Sequence, residues 1–227
     1  MKYKNKNNLQ SEGARKQFIL FATVLPSLSC GGVGYLAFTA FNYLFFPQKA
    51  EITRIYDFCV LMAFEFILVI MNWLLSSLAG SKKIVFWLVV LLFFVPFIYS
   101  FSRFMIDVTL MIKIIAPLLI THFIDLFSRI SKKGKRTAEN YYIYRIALYF
   151  LLLMFGAFAN SIFPKCGLSD SFLASANYES INKGSGGLFC DEPNVAVTLG
   201  LLYFGILSLS KLYTIGKSLY EILFKRA

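Results

Sequence analysis

The sequence has no charged residue between Phe18 and Phe46, directly after a short basic tail. A helix needs about 20 predominantly apolar residues to cross the hydrocarbon core of a bilayer, so this run is long enough to span a membrane. Further apolar segments follow along the chain, at about 55–80, 84–101, 104–130, 141–163 and 194–215. With the first segment, 18–46, the pattern predicts an all-α polytopic membrane protein, a bundle of six transmembrane helices.

The composition leaves no room for a separate soluble domain. Hydrophobic residues make up 58% of the 227 residues and charged residues 15%, whereas soluble domains carry about 25% charged residues. We therefore expect one helical transmembrane domain over 18–215, with one long outer loop at 164–193. A basic tail, 1–17, precedes this domain, and the end of the last helix, 216–227, follows it.

The first apolar segment carries residues that weaken a helix. Pro26 lies in it, and Gly31, Gly32 and Gly34 follow closely. Proline removes a backbone donor, and glycine has a low helix propensity. We expect a tilted, kinked helix whose small residues pack closely against a neighbour. The alternative is a broken helix that lines a cavity, as in transporters.

The basic residues indicate the orientation of the chain. Cytoplasmic loops of membrane proteins are enriched in Lys and Arg. With the N-terminus inside, fifteen Lys and Arg residues fall on the inner side, in the tail, at 82–83, at 129–136 and after 216, against five on the outer side. We therefore expect both termini in the cytoplasm, most simply at a bacterial cytoplasmic (inner) membrane. This topology explains the net charge of +11, so no nucleic acid partner is expected.

Two of the four cysteines bracket the long outer loop. Cys166 and Cys190 stand near its two ends, whereas Cys30 and Cys59 fall within apolar segments. Exported segments are exposed to an oxidising compartment, where disulfides persist. We predict a Cys166–Cys190 disulfide, which would stabilise the loop by roughly 3 kcal/mol. Two unpaired thiols are the alternative.

The sequence contains no pattern typical of catalysis or metal binding. It has one histidine, and it lacks HExxH, CxxC and Walker A motifs. A zinc site needs several converging His, Cys or carboxylate ligands, and a P-loop needs its upstream glycine. We therefore expect no catalytic residue, no metal site and no cofactor, and we predict that the protein is not an enzyme.

Ionisable residues inside apolar segments are costly in a bilayer and are functional candidates by default. Glu65 lies in the second segment, with Asn72 on the same helical face, and Lys113 lies in the fourth. Glu65 and Lys113 match in depth, at about 14–15 Å below the outer boundary for a rise of 1.5 Å per residue. We predict that the two form an ion pair, which serves either as structural support or as part of a polar route.

A second polar group lies closer to the cytoplasmic side. His122 and Asp125 are one helical turn apart in the fourth segment, and Lys211 reaches a similar depth in the sixth. We favour an arrangement in which Asp125 and Lys211 extend to the interface. The alternative is a polar vestibule open to the cytoplasm.

Tyrosines near the segment ends fit an interfacial aromatic belt, namely Tyr35, Tyr43, Tyr99, Tyr141, Tyr142 and Tyr144.

Two classes of function fit this layout. The first is a small transport or channel-type protein, or a subunit of a membrane assembly, in which the candidate polar residues line the route. The second is a non-transporting interaction protein, such as an assembly factor or a toxin-immunity protein, with a membrane-embedded enzyme as a distant third. The expected partners are the lipid bilayer and either other membrane subunits or a second copy of the chain. The sequence identifies no solute or ion.

Overall fold

The computed structural model describes residues 24–77, 108–129, 135–158, 163–182 and 187–224, with isolated positions 92, 95, 96, 99, 104 and 106. These residues are helical, with turns between the helices and no strand among them. Three of the described helices are long and apolar enough to cross a membrane, namely Ile52–Ser77, Glu139–Phe158 and Pro193–Tyr220. The prediction of an all-α membrane protein is confirmed to that extent.

The described chain forms five long helices and three short ones. The long helices are α1 (Leu25–Phe45), α2 (Ile52–Ser77), α3 (Val108–Arg129), α4 (Lys135–Phe158) and α8 (Pro193–Phe224). The short helices are α5 (Asp170–Ser175), α6 (Tyr178–Asn182) and α7 (Leu188–Asp191), and a 3-10 turn, Pro47–Lys49, joins α1 to α2. The predicted tail, 1–17, and nearly all of the predicted span 84–101 lie outside the described residues. The six-span count and the orientation therefore stay predictions.

The long helices pack around a shared apolar core. α1 lies against α8 and α3, and α2 lies against α4, α8 and α3. Phe58 on α2 stacks edge-on against Phe204 on α8, with ring centroids 6.5 Å apart. Gly200 on α8 lies so close to this contact that a Cβ atom there would be 2.7 Å from the Phe58 ring. Because lipid is as apolar as the core, such close packing drives association of helices in a membrane.

The first helix uses its small residues for contact with its neighbours. α1 runs without a break through Gly31, Gly32 and Gly34, and Pro26 lies in its first described turn. A Cβ atom at Gly32 would lie 2.5 Å from Thr121 Oγ1 on α3. The expectation of close packing against a neighbour is confirmed for Gly32 and Gly34 but not for Gly31, which no atom approaches within 4 Å, and the described helix is not the broken one of the alternative.

The segment 164–193, which is the predicted outer loop, contains the three short helices. Ser169 caps α5 by accepting a hydrogen bond from the Phe172 amide. Lys165 donates to both carboxylate oxygens of Asp170, at 2.7 and 2.6 Å, and this contact raises the pKa of Lys165. In α6, burial raises the pKa of Tyr178, whose hydroxyl donates to the Cys190 carbonyl at 3.0 Å.

The predicted disulfide is absent from the structure. No disulfide joins Cys166 and Cys190, of which Cys166 is exposed and Cys190 is half-buried. The two cysteines lie against different helices. Gly167, next to Cys166, donates its amide to the Leu44 carbonyl of α1 at 2.9 Å. Cys190 lies in α7, which packs against α2. The prediction of a Cys166–Cys190 bond is therefore wrong for this structure.

The tyrosines predicted for an interfacial belt differ in their exposure. Tyr35, Tyr99 and Tyr144 are exposed large side chains. Tyr43 and Tyr142 are instead buried in the helical core, with exposed fractions of 8% and 0%. A tyrosine near the end of an apolar segment therefore also serves the contact between helices in this protein.

Candidate functional site

The centre of the bundle holds a cluster of charged and polar side chains, which we name the charge cluster. All five long helices contribute to it. Its members are Ser29 from α1, Glu65 and Asn72 from α2, His122 and Asp125 from α3, Tyr141 and Arg145 from α4, and Tyr203 and Lys211 from α8.

Glu65 occupies the middle of α2 and is fully buried. Its Oε1 atom accepts from Arg145 Nη2 at 2.6 Å and from the Tyr203 hydroxyl at 2.9 Å. Its Oε2 atom lies 2.9 Å from His122 Nε2. Three donors on three other helices therefore meet at one carboxylate, which is the arrangement that a buried ionised carboxylate requires.

Asp125 is the second carboxylate of the cluster, and its side chain is 5% exposed. Lys211 Nζ lies 2.6 Å from both of its oxygens. Ser29 donates to Oδ1 at 2.9 Å, and Tyr141 donates to Oδ2 at 3.0 Å. The same Lys211 ammonium lies 2.7 Å from Ser29 Oγ, so α1, α3, α4 and α8 are connected through this carboxylate.

Arg145 joins the two halves of the cluster. Its Nη2 atom bonds to Glu65, while its Nη1 atom lies 3.5 Å from Asp125 Oδ2. Its Nε atom donates to the Tyr203 hydroxyl at 3.1 Å. Its guanidinium also lies 5.8 Å from the centre of the Tyr141 ring and 5.9 Å from that of Tyr203, a cation–π distance.

The charges of the cluster cancel. Two carboxylates, Glu65 and Asp125, face one guanidinium, Arg145, and one ammonium, Lys211. An ionised group without a partner costs several kcal/mol in a low-dielectric interior, and removal of one partner of a buried pair is correspondingly expensive. Each of the four groups therefore depends on the others. Their pairing explains how four ionised side chains can lie inside the bundle, although a lipid environment alone would exclude them.

The hydrogen bonds around His122 fix the state of its ring. Asn72 Nδ2 lies 2.7 Å from His122 Nδ1 and also 2.9 Å from the Leu68 carbonyl. The carbonyl requires a donor, so the amide group of Asn72 presents its NH₂ here. The Nδ1 atom of His122 is then an acceptor, and its Nε2–H donates to Glu65. These contacts fit a neutral His122, with which the net charge of the cluster is zero.

The structure brings together five of the six candidate polar residues from the sequence. Glu65, Asn72 and His122 are fully buried, and Asp125 and Lys211 are buried to 3% and 7% exposure. The favoured expectation that Asp125 and Lys211 extend to the interface is wrong, because the two side chains bond to each other inside the bundle.

Lys113 is not part of the cluster. Its side chain is exposed, while Glu65 is fully buried and bonds to other residues. Lys113 precedes His122 by nine residues, which places the two on opposite faces of α3 at about 3.6 residues per turn. The predicted Glu65–Lys113 pair is therefore wrong, since a match in depth does not ensure that two side chains face each other.

Sequence reasoning missed Arg145, which is the actual partner of Glu65. Arg145 falls near the inner end of the predicted span, where a basic residue is usually expected to lie at the membrane–water interface. Two signals could have identified it. Arg145 follows Tyr141 by one helical turn on the same face, and two carboxylates within the bundle require two cations, of which Lys211 supplies only one.

The chemistry open to this site is proton exchange and exchange of ion-pair partners. The part of the chain that the structure describes contains no group of three or more His, Cys, Asp or Glu side chains placed to hold a metal ion.

Comparison of the chain with protein-family models, with curated protein sequences and with solved structures found no match.

Proposed function

We propose that the protein is a small membrane transport protein, or the membrane subunit of a transport assembly, whose coupling element is the charge cluster. One observation carries this proposal: Arg145 lies between two buried carboxylates, 2.6 Å from Glu65 and 3.5 Å from Asp125. Intramembrane ionisable groups are expensive and mark ion pathways and proton relays in membrane proteins.

The shared arginine gives the cluster two arrangements of similar chemistry. If Glu65 lost its charge, Arg145 would have Asp125 as its nearest anion. If Asp125 lost its charge, Lys211 would lose its carboxylate partner, and Arg145 would keep Glu65. A change of protonation at one carboxylate therefore changes the preferred partner of a cation, which is how such a group biases a two-state element.

The cluster also connects protonation to the positions of the helices. Each ion pair joins two different helices: Glu65–Arg145 joins α2 to α4, and Asp125–Lys211 joins α3 to α8. Ser29 adds α1 through its bonds to Asp125 and Lys211. A shift of one helix against another would break these bonds, so the protonation state and the arrangement of the bundle depend on each other.

The burial of the cluster fits a closed conformation of such a transporter. Glu65, His122 and Arg145 have no exposed surface, and Lys211 is 7% exposed. In the alternating-access scheme, a site near the middle of the membrane is closed to both sides in part of the cycle and opens when helices move. The proposal therefore requires that water reach the cluster in another conformation.

Labelling of a thiol placed inside the cluster tests this requirement. In a background with Cys30→Ser, Cys166→Ser and Cys190→Ser, the Ser29→Cys variant carries a thiol beside Lys211, and Cys59 in the apolar core is the internal control. A small membrane-impermeant methanethiosulfonate reagent, applied to either side of oriented vesicles, should modify position 29 faster than Cys59. Equal protection of both thiols over the lifetime of the folded protein would contradict transport.

The second candidate function is a non-transporting interaction protein of the membrane. The observation that favours it is the saturation of Glu65 by three donors in a site with no exposed surface, which suits a cluster that fixes the geometry of the bundle. In that case the outer loop with α5, α6 and α7 carries recognition. Equal protection of position 29 and Cys59 in the labelling experiment would support this candidate.

A further inference from the structure

His122 is the only histidine in the chain, and it lies fully buried between two side chains of α2. Its Nε2 atom is 2.9 Å from Glu65 Oε2, and its Nδ1 atom is 2.7 Å from Asn72 Nδ2. Histidine is the side chain whose ordinary titration falls closest to physiological pH. The ring therefore joins a carboxylate that favours a positive charge to an amide that, as placed, favours a neutral ring.

The side chain of Asn72 holds one unused acceptor. Among the described residues its Oδ1 atom is buried and has no hydrogen-bond partner, while its NH₂ group serves both His122 and the Leu68 carbonyl. A buried acceptor without a partner costs free energy, on the order of 1–3 kcal/mol. The amide is thus satisfied on one side only, and rotation about its side chain would bring an acceptor to His122 while it breaks the Nδ2 hydrogen bond to the Leu68 carbonyl.

We propose that Nδ1 of His122 is a proton-binding site, and that Asn72 controls it by presenting Nδ2 to the neutral ring and Oδ1 to the protonated ring. The proton adds to the Nδ1 lone pair and forms a covalent N–H bond there. The hydrogen bond from Asn72 Nδ2–H to Nδ1 is replaced by a hydrogen bond from Nδ1–H to Asn72 Oδ1. No other covalent bond changes. This inference deepens the proposed function, because it rests on transport and names the proton as the coupling ion.

The charged groups around the ring decide what the added proton does. From α2, Glu65 faces Nε2; from α4, Arg145 Nη2 lies 3.4 Å from the same nitrogen. From α8, Tyr203 shares the Glu65 oxygen that Arg145 bonds. On α3 itself, Asp125 follows one turn later and holds Lys211 of α8. Uptake of one proton changes the net charge of the cluster from zero to +1.

The excess charge makes proton uptake a trigger for movement. A closed low-dielectric site does not tolerate an uncompensated charge, because its desolvation costs several kcal/mol. The protonated cluster is therefore expected to open toward water at its least buried end. That end is formed by Lys211, 7% exposed, and Asp125, 3% exposed, whereas His122, Glu65 and Arg145 have no exposed surface.

Nitrogen-15 NMR of the protein labelled only at histidine tests the inference without ambiguity, because all ring signals come from His122. In lipid nanodiscs at neutral or higher pH, the spectrum should show the Nε2–H tautomer alone. Acidification within the range in which the protein stays folded should convert it to the doubly protonated ring. A mixture of tautomers, an Nδ1–H ring, or no second protonation before unfolding would overturn the proposal.

Two variants of position 72 separate control by Asn72 from simple burial. Asn72→Asp offers Nδ1 a carboxylate, and the proton on His122 restores a net charge of zero, so the ring should be doubly protonated at neutral pH. Asn72→Leu is the matched control that removes both donor and acceptor at Nδ1. Its ring should keep the Nε2–H tautomer, because Glu65 still accepts from Nε2, and it should need stronger acidification than the wild type to gain the second proton. A ring signal identical to that of the wild type in Asn72→Asp would overturn the role of Asn72.

The outcomes of this test differ from those of the thiol-labelling experiment. A ring that never gains a second proton would reject the His122 site and leave transport standing if position 29 is labelled. Equal protection of position 29 and Cys59 would reject transport whatever the ring signals show. Labelling of position 29 that increases on acidification, in parallel with the second protonation, is the result that both proposals predict.

Discussion

Arg145 Nη2 lies 2.6 Å from Glu65 Oε1, although 80 residues separate the two in the sequence. Both side chains have no exposed surface. An ion pair of this kind forms only if α2 and α4 lie side by side with these residues at the same depth. The pair therefore fixes both the neighbour relation and the relative height of the two helices, which apolar side chains of similar size specify less strictly.

The contact between α1 and α3 should depend on glycine at one position and not at its neighbour. A Cβ atom at Gly32 would lie 2.5 Å from Thr121 Oγ1 and 3.1 Å from the Pro117 carbonyl oxygen. Because the carbonyl belongs to the backbone, the helices must move apart, and Gly32→Ala should lower the free energy of unfolding by about 1–3 kcal/mol. Thermal unfolding in detergent measures the loss.

Gly31→Ala is the matched control for that substitution. No atom lies within 4 Å of a Cβ atom built at Gly31, and alanine is a better helix former than glycine. This variant should be as stable as the wild type or slightly more stable. Equal losses for the two variants would show that α1 does not approach α3 in the way described.

Loss of Lys211 should be costly because it leaves Asp125 without its closest cation. The ammonium lies 2.6 Å from both carboxylate oxygens, so Lys211→Met should destabilise the protein by about 3–5 kcal/mol. Ser29→Ala removes one neutral donor and should cost about 1 kcal/mol. Lys217→Met, at an exposed position of the same helix, should change stability little. Indistinguishable effects of the two lysine substitutions would contradict the burial of Lys211.

The two cysteines of the predicted outer loop should not be joined by a disulfide in the folded protein. Cys166 is exposed and Cys190 is half-buried, so both should be alkylated without reductant, Cys166 faster than Cys190. Mass spectrometry of a protease digest after alkylation measures both reactions. Recovery of a peptide pair linked through the two cysteines would contradict the structure and support the disulfide that the sequence suggested.

The orientation of the chain is a prediction from its basic residues. The distribution of Lys and Arg places the loop after α3 in the cytoplasm. A membrane-impermeant maleimide added to intact cells should therefore label Cys166 and should not label a Ser131→Cys variant that lacks both Cys166 and Cys190. Labelling of position 131 from outside, with protection of Cys166, would reverse the topology.

Helical patterns in the sequence predicted the kind of fold and most members of the cluster, but not their partners. Glu65, His122 and Lys211 stand out because each is ionisable within an apolar segment. Which of them meet depends on the order and rotation of the helices, and neither property can be read from the residues of a single helix. Patterns within single helices therefore pair Glu65 with Lys113 and give Arg145 no role.

The same limit explains the incorrect expectation for Asp125 and Lys211. Long charged side chains near the ends of membrane helices commonly extend to the interface, and nothing in either segment alone opposes that behaviour. The pair becomes internal because α3 and α8 bring opposite charges to within 2.6 Å of each other. Tyr142 follows the same rule, since the neighbouring helices bury a residue that its position in the sequence placed at the interface.

The central claim is that Glu65 and Arg145 are buried partners, and a double-mutant cycle tests it directly. Unfolding in detergent is measured for Glu65→Gln, Arg145→Gln and the double variant, with the exposed Lys113→Met as the control. Each single variant should lose about 3–5 kcal/mol, because it leaves a buried charge without its partner. The double variant should lose clearly less than the sum, with an interaction of at least ~1 kcal/mol, and Lys113→Met should stay within about 0.5 kcal/mol of the wild type. Strictly additive losses, or a loss for Lys113→Met as large as that for Arg145→Gln, would contradict the cluster.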